Sequence, residues 1–174
     1  MESIKMYELH EQEQYFFDVA TREHLAEFVR NFPNPCCLCA PLLGQALVER
    51  GVSTTILDTD DRFSSVAGFQ HYDLYRPAPL QQTFGLIVCD PPFFKVSLSQ
   101  LFQAVRLLSQ FDYTQPLLIC YLRRRTSNIM GTFSRFNLVP TGYLPHYQTV
   151  QSSERNEIEF FSNLDVTEIE RLRS

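Results

Sequence analysis

Short apolar runs alternate with amphipathic stretches along most of the chain, a pattern typical of strands and helices that follow one another. Strands are predicted at residues 36–40, 54–57, 68–75, 84–89, 117–122, 138–147 and 157–164. Helices are predicted at residues 11–30, 42–49 and 98–108, and the charged residues after Asp165 form a short helix or a tail. Strands joined by short helices predict an α/β fold, with a mostly parallel sheet covered on both faces. The last two strands are predicted to pair as an antiparallel C-terminal hairpin.

A length of 174 residues, of which 44% are hydrophobic and 20% charged, suits one domain with a packed core. The pattern divides the chain into an N-terminal helical segment (1–35), a core (36–165) and a C-terminal tail (166–174). The chain contains no run of 18 apolar residues, and its first residues are too polar for a secretory signal. We therefore expect a cytoplasmic protein that does not enter a membrane.

Carboxylates follow three of the first four predicted strands. Asp58 and Asp60 come after the second strand, Asp73 lies near the end of the third and Asp90 comes after the fourth, whereas Ala40-Pro41 closes the first. Ligands bind beyond the carboxyl ends of parallel strands, so these residues are candidates for one site. Asp58 or Asp60 is placed to accept hydrogen bonds from a ribose diol, and Asp73 from the exocyclic amine of an adenine. The first loop lacks G-x-G-x-x-G, which favours a nucleotide-like ligand without phosphate groups.

The most specific signal is Asp90-Pro91-Pro92-Phe93, directly after the apolar run GLIVC. Two consecutive prolines fix two φ angles and remove two backbone donors, which leaves the Asp90 carboxylate and carbonyl oxygens in a stiff loop. An amino group that donates to Asp90 and to the Pro91 carbonyl is held with its nitrogen lone pair turned toward an electrophile. Phe93 is suited to stack on a planar base or to shield an alkyl chain. The tetrapeptide therefore predicts activation of an amino nucleophile.

The tetrapeptide resembles the catalytic motif of S-adenosylmethionine-dependent amino methyltransferases. Other blocks, in the same order along the chain, resemble one branch, the family of probable N6-adenine methyltransferases. That branch includes the lysine methyltransferases of elongation factor 1A and the zinc-finger methyltransferase of ribosomal RNA adenine. The resembling blocks span residues 12–164 and are Gln14-Tyr-Phe-Phe-Asp18 with Thr21, Ala40-Pro41, Leu57 to Phe63, His71-Tyr-Asp73, Asp90 to Phe93 and Phe160-Phe-Ser-Asn163.

The resemblance implies a Rossmann-like seven-stranded methyltransferase sheet, with S-adenosylmethionine lying across the ends of the first, second and fourth strands. It places Asp58 or Asp60 on the cofactor ribose, Asp73 near the adenine, and the acceptor nitrogen beside Asp90 to Phe93. Further cofactor contacts are implied for Phe17, Asp18, Thr21, Ala40 and Pro41. The N-terminal segment is expected to close over the cofactor, and no metal is expected.

Charge leaves the acceptor open between nucleic acid and protein. The net charge is −5, but residues 113–153 contain no acidic residue and include Arg123–Arg125. This stretch and Phe93 favour adenine N6 in nucleic acid, RNA before DNA, as the acceptor. The overall acidity and the absence of a recognition module favour a protein lysine, in which case the arginines form a solvated loop balanced by acidic neighbours. Two further alternatives remain. The enzyme requires an activating partner, or the chain is an inactive methyltransferase fold that serves as a binding subunit.

The cysteine pattern favours reduced thiols, because the five cysteines do not form a disulfide framework. Cys36 and Cys39 are formally a C-x-x-C, but no second pair completes a zinc site. On a strand, Cys37 and Cys39 face one way and Cys36 the other, which suits small apolar core residues. Two residues near the end of a predicted strand, His146 and Tyr147, either line the acceptor pocket or form a partly exposed strand end.

Overall fold

Seven strands form one mixed sheet in the computed structural model, which describes residues 6–150 and 157–174. The strands are β1 (Cys36–Leu38), β2 (Thr55–Asp58), β3 (Phe69–His71), β4 (Ile87–Cys89), β5 (Leu117–Leu122), β6 (Val139–Pro140) and β7 (Ile158–Ser162). Their order across the sheet is β3-β2-β1-β4-β5-β7-β6. Neighbours from β3 to β5 are parallel, whereas β7 is antiparallel to both β5 and β6. The predicted Rossmann-like α/β fold, with its antiparallel C-terminal pair, is confirmed.

Five α-helices of the described residues cover the two faces of this sheet. They are α1 (Val19–Val29), α2 (Pro41–Glu49), α3 (Leu98–Leu108), α4 (Thr126–Thr132) and α5 (Val166–Arg173). Buried side chains of α1, α2 and α5 share one core, and those of α3 and α4 share the other. Along β5 the side chains from Leu117 to Tyr121 alternate between the two cores, as the pleat requires. Across residues 6–150 and 157–174, no helix has the length and hydropathy that a membrane crossing requires.

The N-terminal helix is shorter than the predicted 11–30. It begins at Val19 because Asp18 is extended and its carboxylate accepts a hydrogen bond from the Thr21 amide at 2.8 Å. Ahead of it, Phe17 forms an isolated antiparallel bridge with Tyr147. The prediction was wrong at this end because the aromatic residues just before Asp18 continue the helical spacing although they belong to an extended segment.

Further differences concern element ends, one side-chain face and an additional helix, whereas a short helix after Asp165 is one of the two predicted alternatives. β1 ends at Leu38, and Cys39 adopts a left-handed φ of 59°, so its side chain packs in the core of Cys36 rather than on the side of Cys37. The strand predicted at 138–147 is reduced to the two residues of β6. Helix α4 is absent from the sequence prediction. The residues after Asp165 form α5, which buries Leu172 completely.

The carboxyl ends of β1, β2 and β4 lie side by side at one edge of the sheet. β1 pairs with β2 on one side and with β4 on the other. Hydrogen bonding continues just past the strand ends, since the Cys39 N–H donates to the Leu57 carbonyl at 2.9 Å and the Asp90 N–H to the Leu38 carbonyl at 3.1 Å. Asp58 and Asp90 therefore leave the sheet at the same edge, on either side of β1.

Candidate active site

A cavity of about 480 Å³ opens at this edge of the sheet, within the size range of small-molecule sites. Its walls come from the loops after β1, β2, β3 and β4 and from residues 12–17 ahead of α1. The predicted site residues that line it are Phe17, Ala40, Pro41, Asp58, Asp73, Asp90, Pro91, Pro92 and Phe93. The structure thus brings most of the predicted site into one space.

The loop after β4 presents a carboxylate and an aromatic ring next to each other. Pro91 is buried and Pro92 is half-buried, and the Pro92 carbonyl accepts a hydrogen bond from the Val96 amide at 3.2 Å. Phe93 packs edge-to-face against Tyr121, with ring centroids 5.7 Å apart and planes at 85°. Because two φ angles are fixed by proline, Asp90 and Phe93 keep a set spacing at the end of β4.

Asp90 belongs to a cluster of polar groups that the sequence did not reveal, in which Asp90 and Tyr147 are half-buried and Cys120 is buried. The Tyr147 hydroxyl donates a hydrogen bond to Asp90 Oδ1 at 2.8 Å. Burial raises the pKa of Asp90 to about 8; hydrogen bonds from Tyr147 and Cys120 oppose this rise, and the charge of Asp58 adds to it. Burial also raises the pKa values of Tyr147 and Cys120 well above their ordinary range. Near neutral pH the Asp90 carboxyl is close to its titration point, which suits a group that accepts a hydrogen bond or a proton from an amine.

Two further carboxylates line the cavity, at the ends of β2 and β3. Asp58 accepts a hydrogen bond from the Asp60 amide at 2.8 Å, and burial raises its pKa to about 6. Asp73 accepts one from the Tyr75 amide at 2.9 Å, within a turn. Apolar side chains, including Leu74, complete this wall. Acceptors beside an apolar surface suit a nucleoside, which presents hydroxyl donors on its ribose and an amino donor on a flat base.

The N-terminus of α2 also faces the cavity. The helix begins at Pro41, its N-cap Ala40 offers no side-chain hydrogen bond, and residues 40–43 line the cavity. The first N–H groups of a helix have no partner within the helix, and its N-terminus carries a partial positive charge. This wall therefore suits an anionic group such as a carboxylate.

Three of the predicted cofactor residues lie outside the cavity lining. Two of them, Asp18 and Thr21, belong to the packing that supports it. The Asp18 carboxylate caps α1, as described above. Thr21 is buried, and its hydroxyl accepts a hydrogen bond from the His146 amide at 3.1 Å. Of the pair His146 and Tyr147, Tyr147 lines the cavity, while His146 is exposed.

Asp60 is likewise outside the lining and is occupied by other partners. Its carboxylate accepts hydrogen bonds from the Arg62 guanidinium at 2.7 Å and from the Gln14 amide at 2.8 Å. Burial raises the pKa of Asp60, but these hydrogen bonds outweigh that effect and leave the pKa below its ordinary value. Between the two alternatives for the ribose contact, Asp58 is the one that reaches the cavity.

Residues 6–18, which we call the N-terminal strap, are attached to several sides of the cavity by polar contacts. The Glu8 side chain, only 6% exposed, accepts hydrogen bonds from the Phe16 amide at 2.6 Å and from the Thr149 hydroxyl at 2.7 Å. The Glu13 carboxylate accepts one from the Phe94 amide at 3.0 Å. Sequence reasoning missed these residues because single acids and amides in a polar stretch have no periodic or motif signal.

Exposed aromatic rings and acidic groups share the cavity mouth. Tyr15, Tyr75 and Phe94 line the cavity and are 36%, 56% and 72% exposed. Glu13 adds a carboxylate to the three aspartates, whereas Lys95 is the one lysine or arginine of the described residues that line the cavity. The mouth therefore combines stacking surfaces with a negative local charge.

The arginine cluster Arg123–Arg125 is largely engaged within the protein. Arg123 forms ion pairs with Glu157 at 3.0 Å and Glu159 at 3.3 Å. Arg125 donates to the Tyr121 hydroxyl at 3.0 Å and lies over that ring. These contacts match the alternative of a basic loop balanced by acidic neighbours. Residues 151–153 of the acid-free stretch lie outside the described residues.

Comparison with solved structures places this fold in a known class. The chain is similar to magnesium protoporphyrin IX methyltransferase from Synechocystis PCC 6803, solved with bound S-adenosylmethionine, with a TM-score of 0.53, 10% identity and coverage of 83% of this chain and 79% of that one. It is also similar to a Thermoplasma acidophilum protein, with a TM-score of 0.50, 14% identity and coverage of 86% and 87%. Identities this low show the fold alone, which is the Rossmann-like fold of methyltransferases.

The sequence narrows this class to a family. The model of the family described as probable N6-adenine methyltransferase matches residues 8–166, so the chain belongs to that family. The resemblance noted in the sequence is thereby confirmed over nearly the whole chain. No curated protein matches the sequence.

Proposed function

We propose that this protein is an S-adenosylmethionine-dependent N-methyltransferase that transfers a methyl group to an amino nitrogen held by Asp90. The observation that carries the proposal is the position of Asp90, at the end of β4, inside the cavity and beside the rigid Pro91-Pro92 turn. A carboxylate there accepts a hydrogen bond from the amine and fixes the direction of its lone pair, which is the requirement for attack on a methyl carbon. When the amine loses a proton, Asp90 is the group placed to receive it.

The cavity fits S-adenosylmethionine in size and in its donor and acceptor groups. Asp58 at the end of β2 suits the ribose diol, and Asp73 suits the adenine amine. The uncapped N-terminus of α2 suits the carboxylate of the methionine part. When bound, the cofactor supplies an electrophilic methyl group on a positively charged sulfur. The apolar wall that contains Leu74 and the ring of Phe17 limit the access of water to this group.

For the acceptor we propose adenine N6 in nucleic acid, with RNA before DNA. The lone pair of this amine is delocalised into the ring, so the site must orient the amine and stack the base, which is flipped out of its helix. Phe93 beside Asp90, and the exposed rings of Tyr75 and Phe94 at the mouth, supply flat surfaces for such a base. The family description supports the same acceptor.

A protein lysine is the second candidate, and the charge of the mouth favours it. Within residues 6–150 and 157–174, four acidic side chains and one lysine line the cavity, an arrangement that attracts an ammonium group and repels phosphate. Because a lysine amine has an ordinary pKa of about 10.4, it must lose a proton before it attacks. Asp90, with a pKa of about 8, is a suitable proton acceptor for that step.

The test is methyl transfer from labelled S-adenosylmethionine to a total cell extract, digested afterwards with nuclease or with protease. Label released by nuclease supports adenine, and label released only by protease supports lysine. Asp90→Ala, which removes the hydrogen-bond acceptor, is expected to lower transfer by a factor of about 10² or more while binding the cofactor, and Asp112→Ala, at an exposed turn, is the control. Wild-type transfer by Asp90→Ala overturns the assignment of Asp90. If wild-type protein binds the cofactor and labels neither fraction with added extract, a binding subunit replaces the enzyme.

A further inference from the structure

We propose that Tyr147 is a positioning residue for the methyl transfer, and that its hydroxyl orients the Asp90 carboxylate toward the acceptor amine. The proposal rests on the proposed function, because it assigns a role within the same site. Its basis is the hydrogen bond of 2.8 Å from the Tyr147 hydroxyl to Asp90 Oδ1. Among the described residues, Tyr147 is the only oxygen or nitrogen donor to this carboxylate.

Tyr147 is held in place by the rest of the protein and does not depend on a bound acceptor. Its backbone pairs with Phe17 in an antiparallel bridge, and the neighbouring His146 carbonyl accepts a hydrogen bond from the Asp18 amide at 2.8 Å. Its ring packs against Phe17, with centroids 5.3 Å apart. The hydroxyl that reaches Asp90 therefore belongs to a segment that pairs with the strap just ahead of α1. The carboxylate itself is held by a different element, β4.

The hydrogen bond has two consequences for the reaction. First, a donor on Oδ1 stops rotation of the carboxylate and leaves Oδ2 as the oxygen for the amine. Second, a donor favours the ionised carboxylate over the neutral acid, and among the other facing groups only the Cys120 thiol does the same. Those groups are Asp58 after β2, Cys89 on β4 and Cys120 on β5, and none of them brings a positive charge to Asp90.

The direct test is Tyr147→Phe, which removes the hydroxyl and keeps the ring on Phe17. Tyr113→Phe removes a hydroxyl from a half-buried tyrosine outside the cavity and is the matched control. Two quantities are measured: the rate of methyl transfer from labelled S-adenosylmethionine to a total cell extract at several pH values, and the titration of the Asp90 carboxyl by ¹³C NMR in the protein alone. The NMR measurement needs no acceptor.

For Tyr147→Phe we expect a rate lower by a factor of about 10 to 100 at saturating cofactor, with the KM for the cofactor within a factor of about three. The rising limb of the pH profile and the NMR titration of Asp90 move to higher pH by about one unit. Tyr113→Phe behaves as the wild type in both measurements.

The proposal is overturned if the Asp90 titration in Tyr147→Phe matches the wild type, or if the rate falls by the same factor at every pH, since either result describes a packing role. Failure of the proposed function has a different signature. In that case Asp90→Ala keeps the wild-type rate, whatever Tyr147→Phe does. If no acceptor in the extract is labelled, the NMR titration alone decides the proposal.

Discussion

At the scale of single residues, Asp90 is a carboxyl group whose surroundings disfavour its ordinary, ionised form. A carboxylate that is buried beside Asp58 is costly when ionised, so its pKa rises to about 8. A positive charge bound beside it removes much of this cost. The free protein therefore keeps Asp90 largely neutral at pH 7, and the ionised form is favoured when a cation enters the cavity.

Asp90→Asn is expected to stabilise the free protein, and the gain is expected to grow with pH. In the folded protein the pKa of Asp90 is raised to about 8 from an ordinary 3.8, so stability is lost as pH rises through this interval. The asparagine variant lacks this loss, and its advantage grows by on the order of 1 kcal/mol per pH unit between pH 5 and pH 7. Urea unfolding at both pH values measures it.

The control for this prediction is Asp112→Asn, which replaces a carboxylate whose pKa is shifted in the opposite direction. Hydrogen bonds from Thr114 lower the pKa of Asp112, so Asp112→Asn is expected to bring no gain that increases with pH. An unfolding free energy of Asp90→Asn that differs from the wild type by the same amount at pH 5 and pH 7 contradicts the buried, neutral state of Asp90.

At the scale of elements, packing rather than helix propensity decides how close α2 lies to the sheet. Two helical glycines give a matched comparison. A Cβ at Gly44 of α2 meets Ile56 Cγ1 of β2 at 2.5 Å, whereas a Cβ at Gly131 of α4 meets nothing within 4 Å. Gly44→Ala is expected to destabilise by about 1–3 kcal/mol. Gly131→Ala is expected to stabilise by about 0.5–1 kcal/mol. Thermal unfolding of both variants checks the pair, and a Gly44→Ala variant as stable as Gly131→Ala contradicts the close packing.

The start of α1 is a second element whose role can be separated from cofactor binding. Asp18 and Asp165 cap α1 and α5 in the same way, each accepting a hydrogen bond from an amide three residues later. Asp18→Ala and Asp165→Ala are each expected to cost about 1 kcal/mol of stability. Asp18→Asn keeps the cap and is expected to bind S-adenosylmethionine with wild-type affinity in calorimetry. A loss of more than about tenfold in that variant assigns Asp18 a direct contact instead.

Most of the elements could be predicted because their signals are local. β5 and α3 agree with the prediction residue for residue, since the apolar run of β5 lies between Pro116 and Arg123, and a serine cap precedes the periodic face of α3. Helix α4 escaped prediction because its seven residues include one glycine and few apolar positions. To predict the start of α1, the capping signal of Asp18 had to be given more weight than an apolar spacing that extends to both sides of it.

The candidate site divides in the same way. Asp58, Asp73 and Asp90 could be predicted together because parallel strands bring their carboxyl ends to one edge. The hydrogen-bond partners of Asp90 and of the strap could not be predicted. The hydrogen bond from Tyr147 to Asp90 spans 57 positions, and that from Thr149 to Glu8 spans 141. No spacing rule connects residues so far apart, and only the folded chain brings them into contact.

At the scale of the whole molecule, the cavity depends on segments that lie far apart in the sequence. The strap joins the loop after β2, the loop after β4 and the segment that carries Tyr147. Phe16 and Phe17 are buried and anchor the end of the strap next to α1. None of residues 6–15 is buried, so the attachment of this part relies on polar groups such as Glu8. Burial raises the pKa of Glu8, but hydrogen bonds from His10, Phe16 and Thr149 outweigh it and hold the pKa below its ordinary value.

Glu8→Gln is expected to loosen the strap without unfolding the core. Replacing the carboxylate weakens its charge-assisted hydrogen bonds to Phe16 and Thr149, so amide exchange at residues 7–18 is expected to accelerate by a factor of about ten. Dissociation of S-adenosylmethionine is expected to accelerate several-fold, while exchange in β4 and β5 stays unchanged. Glu49→Gln, at an exposed position of α2, is the control. Exchange in the strap equal to that of the wild type contradicts this role of Glu8.

The measurement that tests the central claim most directly is the chemical identity of the methylated product. An extract labelled with S-adenosylmethionine carrying a heavy methyl group is digested to nucleosides and amino acids, and the labelled compound is identified by mass spectrometry. We predict a heavy methyl group on an amino nitrogen, as N6-methyladenosine, and the same compound absent with Asp90→Ala. Methyl-lysine would replace the proposed acceptor and preserve the amine chemistry of Asp90. A heavy methyl group found on oxygen, carbon or sulfur contradicts the account.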